Sequence, residues 1–230
     1  MKSKWVILSS LLIVLLAVFL KVIEVPLNVT KTDVFYIHKI LSRSYPKQSD
    51  IQSFEEELSL IQRVMKDTLK VISRGKEIPE GHPREVKDFY AHGSNAAHDI
   101  SRVVEQIFRH LGFKVRHATL YPLNGKGRLR TLLTPDTPAH ATTEILTQRG
   151  WMIVDPLTSH LALDWNRKPI SLARALKEVS SPPFKEKNFG SYSQNFTYVY
   201  GLYSRSGKFY TPFWCTPNIN WREFWDNFRA

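Results

Sequence analysis

At 230 residues and 43% hydrophobic, the chain has enough apolar side chains for one domain with a proper core and too few residues for two full ones. Its formal charge of +11 is spread along the chain rather than gathered into a Lys/Arg tract. That argues against nucleic acid and fits a basic surface beside anionic lipid. A single cysteine, Cys215, excludes an intramolecular disulfide and any Cys-rich metal site.

Residues 1–23 read as a membrane anchor. Trp5 to Leu20 runs without a charge, interrupted only by Ser9 and Ser10, and Lys2, Lys4 and Lys21 bracket it. Val22 and Ile23 extend the span if Lys21 snorkels, giving sixteen to nineteen residues against the roughly 17–25 a spanning helix needs. A cleaved signal peptide is the rival reading. It would show a shorter apolar region, about 7–15 residues, followed by small residues, whereas Phe19-Leu20-Lys21-Val22 follows here. The basic amino-terminal flank predicts a single-pass signal-anchor with a cytoplasmic N-terminus and a periplasmic or otherwise extracytoplasmic domain.

Residues 24–50, with Pro26 and Pro46, read as a tether. Ser53 and Glu56 suit a capping box, and Phe54, Leu58, Ile61, Met65, Leu69 and Ile72 then lie on one helical face ended by Gly75. Residues 76–92 read as a loop. Ile100, Val103, Val104, Ile107, Phe108 and Leu111 predict a second helix with a single buried stripe, capped by Ser94 or Asn95 and ended at Gly112. Lys114 to Tyr121 reads as a strand with Val115, His117, Thr119 and Tyr121 on one face. A polar loop at 122–138 leads to two strands at about 139–147 and 151–155, joined by a tight turn at 148–150. A short helix is expected over 171–179.

Half of the 28 aromatic residues fall in the last 42 positions. There, 196–200 and 208–210 read as a hairpin, and Trp221, Phe224, Trp225 and Phe228 as a short final helix. Phe213 and Trp214 predict that Cys215 is packed among aromatics. Residues 51–180 thus form the core, and 181–230 an aromatic-rich end that completes it.

Three local patterns carry chemistry. Gly93-Ser94-Asn95-Ala96-Ala97-His98-Asp99 opens the second helix and runs on to Leu111-Gly112-Phe113-Lys114-Val115-Arg116. His140-Ala141-Thr142-Thr143-Glu144 and Gly150-Trp151-Met152-Ile153-Val154-Asp155-Pro156 follow in order. Over about 93–158 this resembles the transglutaminase-like branch of the papain-type cysteine enzymes. The resemblance implies an α+β fold with a nucleophile helix packed on an antiparallel sheet, and a Cys–His–Asp triad. His140 and Asp155 stand at the family's His and Asp positions, and Ala97 stands where the family has its Cys.

A helix N-terminus beside an imidazole turns a thiol into a thiolate, and the Asp fixes the imidazole's tautomer. A methyl group starts no covalent step. Ser94 is the substitute nucleophile to weigh, although its place at the helix head suits bonding to backbone N–H groups. His98, Asp99 and Trp151 are candidate cleft or ligand-binding residues, with His98 also readable as an exposed first-turn residue and Trp151 as core. Arg116 and Glu144 are placed to form an ion pair across the sheet.

The expectation is a membrane-anchored, outward-facing transglutaminase-like pseudoenzyme without cofactor. It would act as a binding or scaffold subunit for a protein partner, peptide or glycan, in the setting of a bacterial envelope export or polysaccharide-assembly complex. The alternative is an active hydrolase or acyltransferase on amide or ester bonds, using His140 and Asp155. A third reading is metal-assisted hydrolysis through His98, His140 and a carboxylate.

Overall fold

The structure is a computed structural model describing residues 2–75, 77–134, 137–178, 195–204, 207 and 218–229. It opens with α1 (Lys2–Val22). Along α1, Leu11 to Phe19 carry apolar side chains that are half or more exposed. Among the described residues no helix is long and apolar enough to cross a membrane.

The chain then turns into the domain. Ile23 and Val25 are buried, and they exchange backbone hydrogen bonds with Ile219. The expected tether holds a well-capped helix, α2 (Lys31–Leu41). Thr30 accepts from the Asp33 amide while Asp33 accepts from the Thr30 amide, which satisfies two end groups of the helix reciprocally. Ile37, Ile40 and Leu41 anchor it in the main core.

The predicted amphipathic helix is α3 (Phe54–Ile72). Ser53 caps it by accepting from Glu56, but the Glu56 carboxylate reaches the amide of Gln52 rather than that of Ser53. The segment read as loop over 76–92 contains α4 (Val86–His92), which buries Val86 and Phe89. Next comes α5 (Ala97–His110), the central helix. The sequence pattern predicts one buried stripe on it, yet every residue from Asp99 to Phe108 is buried, the polar ones included.

The sheet follows. β1 (Val115–Pro122) leads through α6 (Arg128–Leu133) to β2 (His140–Thr147) and β3 (Gly150–Val154). After α7 (Leu172–Glu178), β4 (Phe196–Tyr200) returns to the far edge. The order is β3-β2-β1-β4, antiparallel throughout, so the α+β class with helices packed on an antiparallel sheet is what the structure shows. The segment from 196 pairs antiparallel with β1. The expected second arm at 208–210, and Cys215 with its neighbours, lie outside the described residues.

Past β4 the chain bends at Gly201 (φ 72°), where a Cβ would come within 2.6 Å of the Asn220 carbonyl oxygen. β5 (Leu202–Tyr203) pairs with β6 (Asn218–Ile219), and α8 (Trp221–Phe224) continues into a 3₁₀ turn at Trp225–Phe228.

Strand alternation divides the core. Val115, Ile145, Met152 and Val154 pack with the helices, including α5, on one face. Ala118, Leu120, Ile153, Phe196, Tyr198 and Tyr200 pack with Ile170, Leu172 and Ala175 on the other. Each fully buried Ile, Leu or Phe stabilises the fold by about 1.5–3 kcal/mol relative to exposure.

Candidate functional site

His140 and Asp155 meet at one end of the sheet, with Nε2 of the imidazole 3.0 Å from Oδ2 of the carboxylate. The turn between their strands has only two residues beyond the Thr147–Gly150 pair, and no bulge is needed. Continuing the register past Thr143–Val154 puts Asp155 opposite Thr142. His140 is then the diagonal neighbour on the same face, within reach of long side chains.

Asp155 is well held. Its Oδ1 accepts from the amides of Leu157 and Thr158, each at 2.9 Å, and from the Thr158 hydroxyl at 3.1 Å. Burial raises the carboxyl's pKa. The His140 hydrogen bond and charge and the two amides outweigh that, and the group sits below the usual aspartate range. An ionised Asp155 on Nε2 fixes the orientation of the ring.

Ala97 opens α5, and no side chain caps this end; the cap residue is Ala96 rather than Ser94 or Asn95. The head is instead fixed from below by a buried polar cluster. Ser94 is fully buried, donates to Asp99 Oδ2 at 2.8 Å and accepts from the Ala96 amide at 3.1 Å. Asp99 also takes the Arg84 guanidinium at 3.0 Å and His98 Nε2 at 3.3 Å. Arg84 in turn donates to the carbonyl of Ile78 at 2.6 Å. The backbone closes tightly here, since a Cβ on Gly93 (φ 74°) would lie 2.5 Å from the Gly75 Cα.

His98 is thus no exposed first-turn residue: 19% of its side chain is exposed. Burial lowers its pKa, with Arg84 and His117 adding to that, against a raising contribution from Asp99. The Ser94 hydroxyl, committed to Asp99 and Ala96, behaves as a brace for the helix head.

Ala97 and the dyad come to the same end of the sheet. α5 passes through Leu111–Phe113 directly into β1 and so runs antiparallel to it, with Ser101 touching Thr143 at 2.7 Å on the way. By alternation His140 and Asp155 belong to the face of Glu144 and Ile153, and α5 packs on the face of Thr143 and Val154.

A second polar constellation lies under α5. Glu105 Oε1 is 2.6 Å from His117 Nδ1 and 3.0 Å from the Ser101 hydroxyl. The Tyr203 hydroxyl lies 3.0 Å from Glu105 and 2.8 Å from Glu223, so its single proton serves one carboxylate at a time. Arg109 meets Glu223 at 2.7 Å, and the Tyr203 ring stacks on His117 with centroids 4.3 Å apart.

Burial raises the Glu105 carboxyl, but the His117 charge and hydrogen bond, with Arg109 and Ser101, bring it below its ordinary value. Burial raises Glu223, and Glu105 adds to that against Arg109. Although Ser101, His117 and Glu105 resemble a catalytic set in composition, hydroxyl and carboxylate both approach Nδ1, whereas a triad needs them on opposite ring nitrogens. This group is structural.

Arg116 and Glu144 pair at 2.7 Å. The guanidinium lies between the rings of Trp151 and Tyr200, 4.1 Å from each centroid, while Glu144 also accepts from the Tyr200 hydroxyl and the Leu172 amide. Trp151 therefore serves the sheet surface. Burial lowers the Arg116 pKa, but Glu144, Tyr200 and Asp226 raise it on balance.

Among the described residues, no group of three or more His, Cys, Asp or Glu side chains is arranged to hold a metal ion. Compared with protein-family models, curated proteins and solved structures, the chain gives no match.

Proposed function

We propose that the chain is a transglutaminase-like pseudoenzyme, tethered by α1 at the outer face of a membrane, whose degenerate cleft binds a partner. One observation carries the reading. His140 and Asp155 keep a hydrogen-bonded pair at 3.0 Å at the end of the sheet from which α5 starts, and the head of that helix carries Ala97. The pair can orient, accept and donate hydrogen bonds, but a methyl group supplies no nucleophile. Ser94 does not substitute for it, since its hydroxyl is buried against Asp99.

The anchor reading rests on the uncharged run from Trp5 to Leu20 and on the apolar side chains that α1 leaves uncovered on every face. A further observation bears on the partner. Ala139, next to His140, packs in the cluster that buries Ile23, the first residue after α1. The dyad thus lies at the anchor end of the domain, and the partner that suits it is a polypeptide or glycan presented at the membrane surface.

The test is a pull-down from detergent-solubilised membranes with wild type, His140→Ala and Asp155→Ala. The reading predicts a stable partner for wild type that both variants lose while keeping the wild-type fold by circular dichroism. A partner retained by all three would separate the scaffold role from the dyad. Turnover of amide or ester substrates that depends on His140 would replace the reading with that of an active hydrolase or acyltransferase.

A further inference from the structure

The C-terminal rings suggest how the domain sits once it is anchored. Trp221, Phe224, Phe228 and Trp225 form a continuous ladder, with successive centroids 5.9, 5.9 and 5.5 Å apart. The Trp221 Nε1–H donates to the carbonyl of Leu20 at 3.3 Å, tying the ladder to the last turn of α1. Its outer members are uncovered: Trp225 is 56% exposed and Phe228 70% exposed.

Basic side chains border the rings, with Arg222 and Arg229 both exposed. Nearby carboxylates are already paired: Glu223 with Arg109, Asp226 with Arg116, and Glu24 with Lys21. The segment is also rigidly held. Asn220 caps α8 and donates to the Val25 carbonyl, while Asn227 bonds both the amide and the carbonyl of Tyr200.

We propose that this ladder is a second membrane contact, seating the domain on anionic headgroups beside the exit of α1. Tryptophan suits that depth because its apolar ring enters the acyl boundary while its N–H stays hydrogen-bonded. Arginines flanking the rings match the negative surface potential of anionic lipid. A lone helix leaves its domain free to pivot; a rigid second contact a few residues from the exit fixes which face is turned to the bilayer. The inference rests on the reading of α1 as an anchor.

The test uses the full-length protein in vesicles of phosphatidylcholine and phosphatidylglycerol, in a Cys215→Ser background. Nitroxide labels are placed at Leu12→Cys or Phe228→Cys, and their depth is read from oxygen against nickel-chelate accessibility. The expected result is a Leu12 label in the hydrocarbon and a Phe228 label at the headgroups. A deep Leu12 label with a fully aqueous Phe228 label overturns the second contact and leaves the anchor standing. An aqueous Leu12 label overturns the anchor, and the inference with it. If Cys215→Ser does not fold, quenching of tryptophan by brominated lipid in wild type and Trp225→Phe decides instead. A smaller quenched fraction in the variant supports the contact, and an unchanged fraction contradicts it.

Discussion

His117 and Glu105 meet at 2.6 Å with 1% and 0% of their side chains exposed, whereas His140 and Asp155 meet at 3.0 Å with 17% and 7% exposed. The two pairs share their chemistry and lie on opposite faces of one sheet. The first is embedded in a network of Ser101, Thr143, Tyr203, Glu223 and Arg109, so each polar atom there depends on several others. The second stands at the sheet's end, with the carboxylate fixed by a turn and the imidazole partly exposed. A histidine beside a carboxylate is therefore no evidence of function until its surroundings are known.

This contrast can be broken first where the stakes are highest. Glu105→Ala should cost about 3–5 kcal/mol, because it removes the buried carboxylate that His117, Ser101 and Tyr203 share. Chemical denaturation followed by circular dichroism measures it, and a loss under about 1 kcal/mol would mean the network is not a structural unit. Arg116→Ala should cost about 3 kcal/mol in the same assay, since it leaves Glu144 buried and removes the cation between Trp151 and Tyr200.

Much of this was legible in the sequence, and the reasons differ by element. Repeats of 3.6 residues marked α3 and α5, alternation marked β1, and the tight turn at 148–150 marked β2 and β3. The Arg116–Glu144 pair was readable as opposite charges on two expected strands of one sheet. α2 was not readable, since its apolar residues Val34 to Ile37 run consecutively rather than at a helical repeat and prolines flank the segment.

The Glu105 network was missed for a deeper reason. Its members come from α5, β1, β2, β5 and α8, and on α5 they occupy what reads as the solvated side of an amphipathic helix. The sheet, through His117 and Thr143, and the C-terminal segment, through Tyr203 and Glu223, together bury them. The one available signal was the density of aromatics at the C-terminus, which marks a packing surface without saying what it covers. His98 was misjudged likewise, because Arg84 and the loop that carries it close over the helix head.

Smaller effects sharpen the comparison. Ser94→Ala should cost about 1–2 kcal/mol by removing a donor from buried Asp99, while leaving partner capture intact. Loss of capture with an intact fold would return Ser94 to the site. Asp155→Asn should cost about 1 kcal/mol near neutral pH and change the pH profile. The Asp155 pKa is lower folded than unfolded, so its stabilisation is complete above the unfolded value, about 3.9, and is lost as pH falls through the folded value. Unfolding free energy measured across that acid range should fall more steeply for wild type than for Asp155→Asn. Parallel curves would show that the carboxylate is not held ionised.

If Ala97 stands where a nucleophile has been lost beside His140, a thiol restored there should be activated by that imidazole. In Ala97→Cys with Cys215→Ser, the pH dependence of alkylation by iodoacetamide reports the thiol pKa. The account predicts a value at least about one unit below the ordinary 8.5, returning toward 8.5 when His140→Ala is added. A thiol that titrates near 8.5 with or without His140 would contradict the account, leaving His140 and Asp155 as a hydrogen-bonded pair unrelated to the helix head.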